Sequence, residues 1–547
     1  MVLQWKERLT LSRLLWWLAI SAVAICGVAF RSVGLRRSLW LDEAWVANSV
    51  TAGSWADMFW YHPWLQTSPP LFLVLERMTV GAFGLTAFAF RLVPFLFGLI
   101  AVACMFILAR RLLTLRFAAA AWALVVFSHV AIYYSRSAKQ YSLEQAASTA
   151  VILMCILYLE RPAASRFYAL LAVIAAGLPM AYPVAFLLPG VTLLVVLATW
   201  LPSSASGSRT MRWIGLARAS LLAVVAGGML VGIYLLFVRP NTSPSLYSHF
   251  DHGRGGRSFA SYTVFSGHKL LDLLPLPHSL VDAGRFVYGA WTVAFLGGFI
   301  LACRAFRNGS GKWIQVQILC GLPCILLILC DGLAWFPNTP RTSLFVLPAL
   351  ALLFMCDLQL IVDFSLRHYR RKWLERFLDV AVACVMLFLA VECVKLSRTF
   401  MQGEEEDVAS AVEYLKANVQ PRDILFVHAS CSEQFKLYAM MDGWGDAPVQ
   451  FGRTGWPCCP RGIAVSRGSG RNEDVRSDVY RAVPAVFAGK VWILYSTKAN
   501  QVIYIGADQD AMMMNALRER GCLQEPTPTF QNIGVSLFDC TGPPGRP

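Results

Sequence analysis

The sequence predicts a polytopic α-helical membrane protein of about eleven transmembrane helices with a C-terminal extracytoplasmic α/β domain. Three observations predict it. Hydrophobic residues make up 57% of the 547-residue chain and charged residues only 15%, where soluble domains carry about a quarter. Apolar runs of about 20 residues recur, the length that a hydrocarbon core of about 30 Å requires of a helix. Basic clusters, finally, alternate with those runs along the chain.

The expected helices are 14–30, 89–109, 117–134, 143–159, 167–183, 184–200, 213–238, 286–303, 313–333, 342–362 and 377–396. The first run, Leu14 to Phe30, has the length of a signal-peptide core. No small-residue cleavage site accompanies it and further spans follow, so it reads as a retained helix. Between 167–183 and 184–200, Pro179, Pro183 and Pro189 set the turn. No internal repeat of the kind that marks many transporters is visible.

The net charge of +15 lies wholly in the membrane half. Residues 1–399 hold 34 Lys+Arg and 16 Asp+Glu, whereas residues 400–547 hold 14 and 17. The excess clusters at Lys6, Arg8 and Arg13; Arg110, Arg111 and Arg116; Arg161 and Arg166; Arg209 and Arg212; Arg304, Arg307 and Lys312; and the run from Arg367 to Arg376. With these clusters in the cytoplasm, every intervening segment crosses twice, as the positive-inside rule requires. A nucleic-acid partner is not needed to explain the charge. The expected location is the inner (plasma) membrane, multi-pass, with a cytoplasmic N-terminus and an extracytoplasmic C-terminal domain.

Two domains follow: a transmembrane domain over 1–399, with a long first outward loop at 31–88, and a soluble domain over 400–547. In the loop, Ser54–Leu65 and Pro69–Phe83 are short for spans and fit amphipathic helices lying in the interface. Its Trp and Tyr residues read as an aromatic belt rather than a sugar platform. A second outward segment, Arg239 to Arg285, is rich in Gly, His, Pro and Ser and reads as an irregular loop. In the tail, Asp407–Val419 has a helical period, and Asp423–His428, Val491–Tyr495 and Gly534–Phe538 read as strands.

Ten of the fifteen cysteines precede residue 400, mostly within apolar runs, where Cys is a small hydrophobe. Cys320 and Cys324, one helical turn apart, read as packing. In the tail, Cys522 and Cys540 bracket a possible hairpin and form the favoured bridge in an oxidising compartment. Adjacent Cys458 and Cys459 would need separate partners. His62, His129, His249 and His252 show no close ligand spacing, so no metal and no cofactor are expected.

Outward polar residues must carry any chemistry. Ser38-Leu39-Trp40-Leu41-Asp42-Glu43-Ala44-Trp45 places an acidic pair just beyond the first helix. Ser68-Pro69-Pro70-Leu71 follows, then Phe88 to Pro94 around Arg91, then Tyr134-Ser135-Arg136 through Lys139-Gln140-Tyr141-Ser142. Phe336-Pro337 and Pro340-Arg341 stand near the tenth span. Each piece alone is weak; the ordered set is what counts.

That set resembles the GT-C glycosyltransferases of family 39, which include protein O-mannosyltransferases and the aminoarabinose transferases that modify lipid A. The resemblance covers residues 10–200 well and 320–360 loosely, and does not reach the tail. It implies a GT-C-like membrane fold and a sugar donor carried on polyprenyl phosphate. It also implies an acidic residue of the first outward loop at the active site, matched here by Asp42 and Glu43. Pro69 and Pro70 match the loop helix, and Arg91 matches the start of the second span. Several relatives have Lys or His before the paired prolines. This chain has Ser68, which counts against the protein-mannosylating and lipid A branches.

The residue types suit that chemistry. A lipid-phosphate sugar already has a good leaving group, so the enzyme must deprotonate an acceptor and offset phosphate charge. Asp42 is the first choice of general base, with Glu43 second or orienting it. Arg91, Arg136, Lys139 and Arg341, with Tyr141, form the expected substrate-binding set, since Arg binds phosphate through two parallel hydrogen bonds. The expected partners are the polyprenyl-phosphate sugar, the bilayer, and a glycan, lipid or protein acceptor. Plainer readings stand beside these: a solvated acidic pair, a headgroup anchor for Arg91, a helix-start role for Arg341, and snorkelling for Arg136 and Lys139. A lipid-linked glycan ligase or polymerase, or a non-enzymatic transporter or scaffold, are the alternative functions. The tail is expected to bind acceptor or cap the site rather than supply catalytic groups.

Overall fold

The computed structural model describes residues 11–60, 67–200, 209–242, 259–275, 284–307, 311–366, 372–404, 406–444, 464–467, 474–497 and 508–541. Each of the eleven expected segments is helical within these residues. Seven helices are long and apolar enough to cross a membrane: Leu14–Ser32, Ala87–Leu112, Tyr141–Glu160, Arg212–Asn241, Lys312–Gly332, Leu344–Ser365 and Arg376–Arg398. Three apolar helices are shorter, Leu115–Val126, Ala164–Gly177 and Tyr182–Ala198, and Gly284–Arg307 is 24 residues long. The protein is a multi-pass α-helical membrane protein.

The chain divides into two compact units. One comprises residues 1–34, 67–72 and 92–400; the other comprises 35–66, 73–91 and 401–547. The loop after the first helix thus belongs largely with the tail.

Within the first unit, the expected helix 117–134 is two. Leu115–Val126 ends, and Ser128 restarts the chain by accepting the Ala131 amide at 3.3 Å to cap His129–Tyr134. The carbonyls freed at the break have a cation. Arg31, 1% exposed, donates to Val126 O at 3.0 Å and Val125 O at 3.3 Å. A guanidinium is stable at a helix C-terminus, where the dipole is negative. Gly27 permits this close approach, since a Cβ there would lie 2.7 Å from Val126 Cγ1. Gly98 does the same for the far end of the short helix, with Ser135 Cβ at 2.6 Å. The turn lies at 178–181, around Pro179, before the 3-10 segment Tyr182–Leu187 and the helix Leu188–Trp200. The segment expected to be an irregular loop from Arg239 to Arg285 instead contains the helix Phe259–Lys269, whose apolar and aromatic residues sit between the Gly- and Pro-rich stretches.

Several predicted basic connectors meet at one end of this unit. Arg111 pairs with Glu160 at 2.8 Å, Lys312 donates to Leu112 O at 2.6 Å, and Arg116 lies 3.7 Å from Asp379.

The second unit contains a five-stranded sheet made of β1 (Ile424–Val427), β2 (Ala464–Arg467), β3 (Lys490–Ser496), β4 (Leu523–Glu525) and β5 (Ile533–Asp539). The order is β2-β1-β3-β5-β4; β1 runs parallel to β2 and β3, and β5 runs antiparallel to β3 and β4. Buried on both faces, β1 reads as an unbroken apolar run, as a central parallel strand should. The helix Val408–Asn418 starts at Asp407, whose carboxylate accepts the Ser410 amide at 3.3 Å. Cys522 and Cys540 are bonded across the β4–β5 hairpin. Cys458 and Cys459 lie outside the described residues. Strands β2 and β4, and the helices Ser432–Met441, Val475–Ala482 and Gln509–Arg518, complete the predicted α/β domain.

Candidate active site

The acidic pair opens the helix Leu41–Val50, which begins after an extended Trp40. Two acids in a first turn face the positive end of the helix dipole, but their surroundings differ. Glu43 is fully buried; its carboxylate accepts the Trp40 amide at 3.2 Å, Arg91 Nε at 2.9 Å and Arg91 Nη2 at 2.6 Å. Arg91, itself buried, also donates to Arg37 O at 2.8 Å and Ser38 O at 3.0 Å. Burying an ion pair costs several kcal/mol per ion unless hydrogen bonds satisfy the remaining atoms, and this pair has them. Asp42 is half-buried, turned about 100° around the helix from its neighbour.

A third acid of this unit, Glu76, lies on the helix Pro70–Phe83. It is fully buried, and neither carboxyl oxygen has a hydrogen-bond partner among the described residues. Burial, reinforced by the Glu43 charge, raises its pKa well above the carboxylate range. On the same helix Arg77 donates to Ala52 O at 2.9 Å and stacks 4.7 Å above the Trp55 ring.

The tail reaches this motif directly. Leu39 N donates to the Tyr438 hydroxyl at 2.6 Å, and Ser38 Oγ lies 3.2 Å from the same oxygen. Ala409 N donates to Ser38 Oγ at 3.2 Å. Leu41 N donates to Glu406 Oε2 at 3.1 Å. At the other end of the helix, Asn48 Nδ2 donates to Glu433 O at 2.9 Å and to Glu433 Oε2 at 3.1 Å. None of these tail residues carries a local signal. Glu406 is one of four consecutive acids, and Tyr438 sits within an amphipathic helix like any packing tyrosine.

In the first unit, Arg136 follows the short helix His129–Tyr134, is 8% exposed and donates to Val33 O at 3.0 Å. Lys139 is half-buried. Tyr141, buried, begins the helix Tyr141–Glu160 and sets its ring edge-on to Tyr134, with centroids 4.8 Å apart. That helix packs against Leu344–Val346, and the turn just before it holds half-buried Arg341. Ser68 is buried at the same end of the helix. Its hydroxyl meets Gln140 Oε1 at 3.3 Å and its carbonyl accepts Tyr182 Oη at 3.3 Å. Gln140 and Tyr182 escaped the sequence reading because each is ordinary in its own segment. Asp42, Glu43 and Arg91 thus share one unit, and Arg136, Lys139, Tyr141 and Arg341 share the other.

A family model described as dolichyl-phosphate-mannose-protein mannosyltransferase matches residues 67–231. Two crystal structures of ArnT from Cupriavidus metallidurans have the same fold. The apo form gives a TM-score of 0.52 at 13% identity, covering 96% of this chain and 99% of that one. The form bound to undecaprenyl phosphate gives 0.51 at 14% identity, covering 97% and 99%. The chain has the fold of these two membrane proteins. No curated protein matches the sequence. The segment that the family model matches takes in Arg91, Arg136, Lys139 and Tyr141, while Asp42, Glu43 and Arg341 lie outside it. Among the described residues, no group of three or more His, Cys, Asp and Glu side chains is arranged to hold a metal ion.

Proposed function

We propose that this protein is a membrane glycosyltransferase of the GT-C superfamily that moves a sugar from a polyprenyl-phosphate donor to an extracytoplasmic glycan, lipid or protein acceptor, with Asp42 as general base. The acceptor hydroxyl gives its proton to the Asp42 carboxylate as its oxygen bonds to the anomeric carbon. The bond from that carbon to the phosphate oxygen breaks, and polyprenyl phosphate leaves with the electron pair. Arg136, Lys139 and Arg341 offset the charge that develops on phosphate, and Tyr141 supports the Arg136–Lys139 segment.

The observation that carries this reading is the unequal environment of the acidic pair. Glu43 spends its charge on Arg91 inside the protein, so the half-buried carboxylate beside it is the one suited to meet an acceptor. By the same geometry Arg91 is a positioning residue, since its guanidinium already holds Glu43 and two carbonyls. ArnT with undecaprenyl phosphate bound supports the class of donor.

That the acidic loop and the tail lie on the same side of the membrane is supported by their membership in one unit. Two segments that fold together lie on one side of the membrane, which requires an even number of crossings between them. The second to eleventh helices supply ten. A reporter fused after Pro547 should be active only outside the cytoplasm, and one inserted near Arg371 only inside.

Gene deletion followed by mass spectrometry of membrane lipids and surface glycans tests the function. Loss of one sugar-bearing species, restored by the unsubstituted gene but not by Asp42→Asn, is the expected result. An unchanged profile, or restoration by Asp42→Asn, would overturn it.

A further inference from the structure

The tail carboxylate of Glu406 occupies a place that the sequence does not announce. It is 3% exposed and accepts hydrogen bonds from three separate elements. Leu41 N, the first amide of the acid-bearing helix, donates to Oε2 at 3.1 Å; Gln434 Nε2 of the helix Ser432–Met441 also donates to Oε2; and Ser496 Oγ, at the end of β3, donates to Oε1. A buried carboxylate is tolerable when its oxygens are satisfied in this way. At a helix N-terminus it also meets the positive end of the dipole.

The consequence falls on the residue between the anchored positions. Leu41 is fixed through its amide to Glu406, and Glu43 is fixed through its carboxylate to Arg91. Leu39 is fixed to Tyr438 two residues earlier. Asp42 therefore projects from a turn whose backbone is held on both sides, by a tail residue before it and a loop pair after it. A catalytic carboxylate works at its best rate only within a narrow geometry, and misplacement by about 1 Å can cost about a hundredfold.

We infer that Glu406 is a positioning residue for transfer: through Leu41 it sets the orientation of Asp42, making the soluble tail part of the catalytic apparatus without touching substrate. The inference rests on the reading of Asp42 as base and extends it to a residue more than 360 positions away in sequence.

The test uses full-length protein in nanodiscs, unsubstituted and as Glu406→Ala, Glu406→Gln, Tyr438→Phe and Asp42→Asn. Three quantities are read: hydrogen exchange of the amides from Leu39 to Ala44, binding of undecaprenyl phosphate by native mass spectrometry, and restoration in cells of the species lost on gene deletion. Glu406→Ala is expected to speed exchange of these amides by about tenfold, as loss of a cap does. It should leave undecaprenyl phosphate binding within about twofold and lower transfer by roughly 10- to 100-fold. Glu406→Gln keeps an acceptor oxygen for Leu41 and should recover most of the loss. Tyr438→Phe, which removes the anchor at Leu39, should act in the same direction if Glu406→Ala does not fold.

Unchanged exchange in both Glu406→Ala and Tyr438→Phe would overturn the inference whatever the enzyme does. So would loss of undecaprenyl phosphate binding in parallel with transfer, which would mark Glu406 as merely structural. Full transfer by Glu406→Ala beside a dead Asp42→Asn would remove the positioning role alone. Full transfer by both would remove it together with the base assignment.

Discussion

In the membrane half the buried arginines lie against backbone carbonyls; in the unit formed by the first loop and the tail, the buried arginine lies against a carboxylate. Arg31 and Arg136 donate to the carbonyls of residues 125, 126 and 33. Arg91 meets Glu43 in a two-point ion pair. Backbone carbonyls stabilise a cation through their dipoles. The Glu43 carboxylate cancels Arg91. Residues read alike in the sequence, as outward arginines near a lipid phosphate, thus have different neighbours: a backbone carbonyl for Arg136 and the Glu43 carboxylate for Arg91.

The largest expected effect sharpens this contrast within the acidic pair. Asp42→Asn keeps size and hydrogen-bonding reach but cannot take a proton, so transfer should fall by about 10²–10⁴ with the protein still inserted and folded. Near-normal turnover in Asp42→Asn beside a dead Glu43→Gln would move the base by one residue.

Arg91→Ala should act through folding. It strands Glu43 as an unpaired buried charge, which typically costs about 3–5 kcal/mol. Adding Glu43→Gln to Arg91→Ala should return much of that loss, measured as thermal stability in nanodiscs. A stable Arg91→Ala single variant with poor undecaprenyl phosphate binding would break the comparison.

Arg136→Ala should do the converse. A hydrogen bond to a charged group contributes about 1.5–3 kcal/mol, so donor-phosphate affinity should fall by about 10- to 100-fold, read by titration with undecaprenyl phosphate. The smallest effect concerns the tail. Burial pulls the His428 imidazole down to about 4, below the usual value of about 6.5. The folded tail then binds fewer protons than the unfolded chain between these values. Stability is complete above about pH 6.5 and is lost as pH falls towards 4. Protease resistance of the tail should decline over that window, and His428→Gln should flatten the decline.

Much of the membrane half was legible because its signals are local. Apolar length and basic connectors place all eleven helical segments, and Arg111, Arg116 and Lys312 gather at one end as their alternation requires. Ser128 was misread because its neighbours are apolar; only the cap it forms with Ala131, with Arg31 on the carbonyls before it, makes the break. In the tail, strands β1, β3 and β5 are apolar enough to read, and Cys522 with Cys540 follows from the hairpin they bracket. Strand β4 is three residues long, with Leu523 largely exposed, and offers no pattern. The candidate site was half legible. The acidic pair and its cations could be listed, but the partition of Asp42 from Glu43 depends on where Arg91 arrives from 48 residues away. The grip of Glu406 and Tyr438 crosses the whole membrane half and leaves no trace in local sequence.

The composition of the second unit also dictates when the acidic motif can first be held in place. Its pieces leave the ribosome in instalments, residues 35–66 and 73–91 early and residues 401 onward much later. At about 5–20 residues per second, the roughly 300 residues between them take on the order of 15–60 s to make. Throughout that interval the helix bearing Asp42 has been delivered, while Glu406, Tyr438 and Glu433 are not yet synthesised. A nascent or truncated chain can thus fill the membrane with helices and still lack an ordered acidic motif.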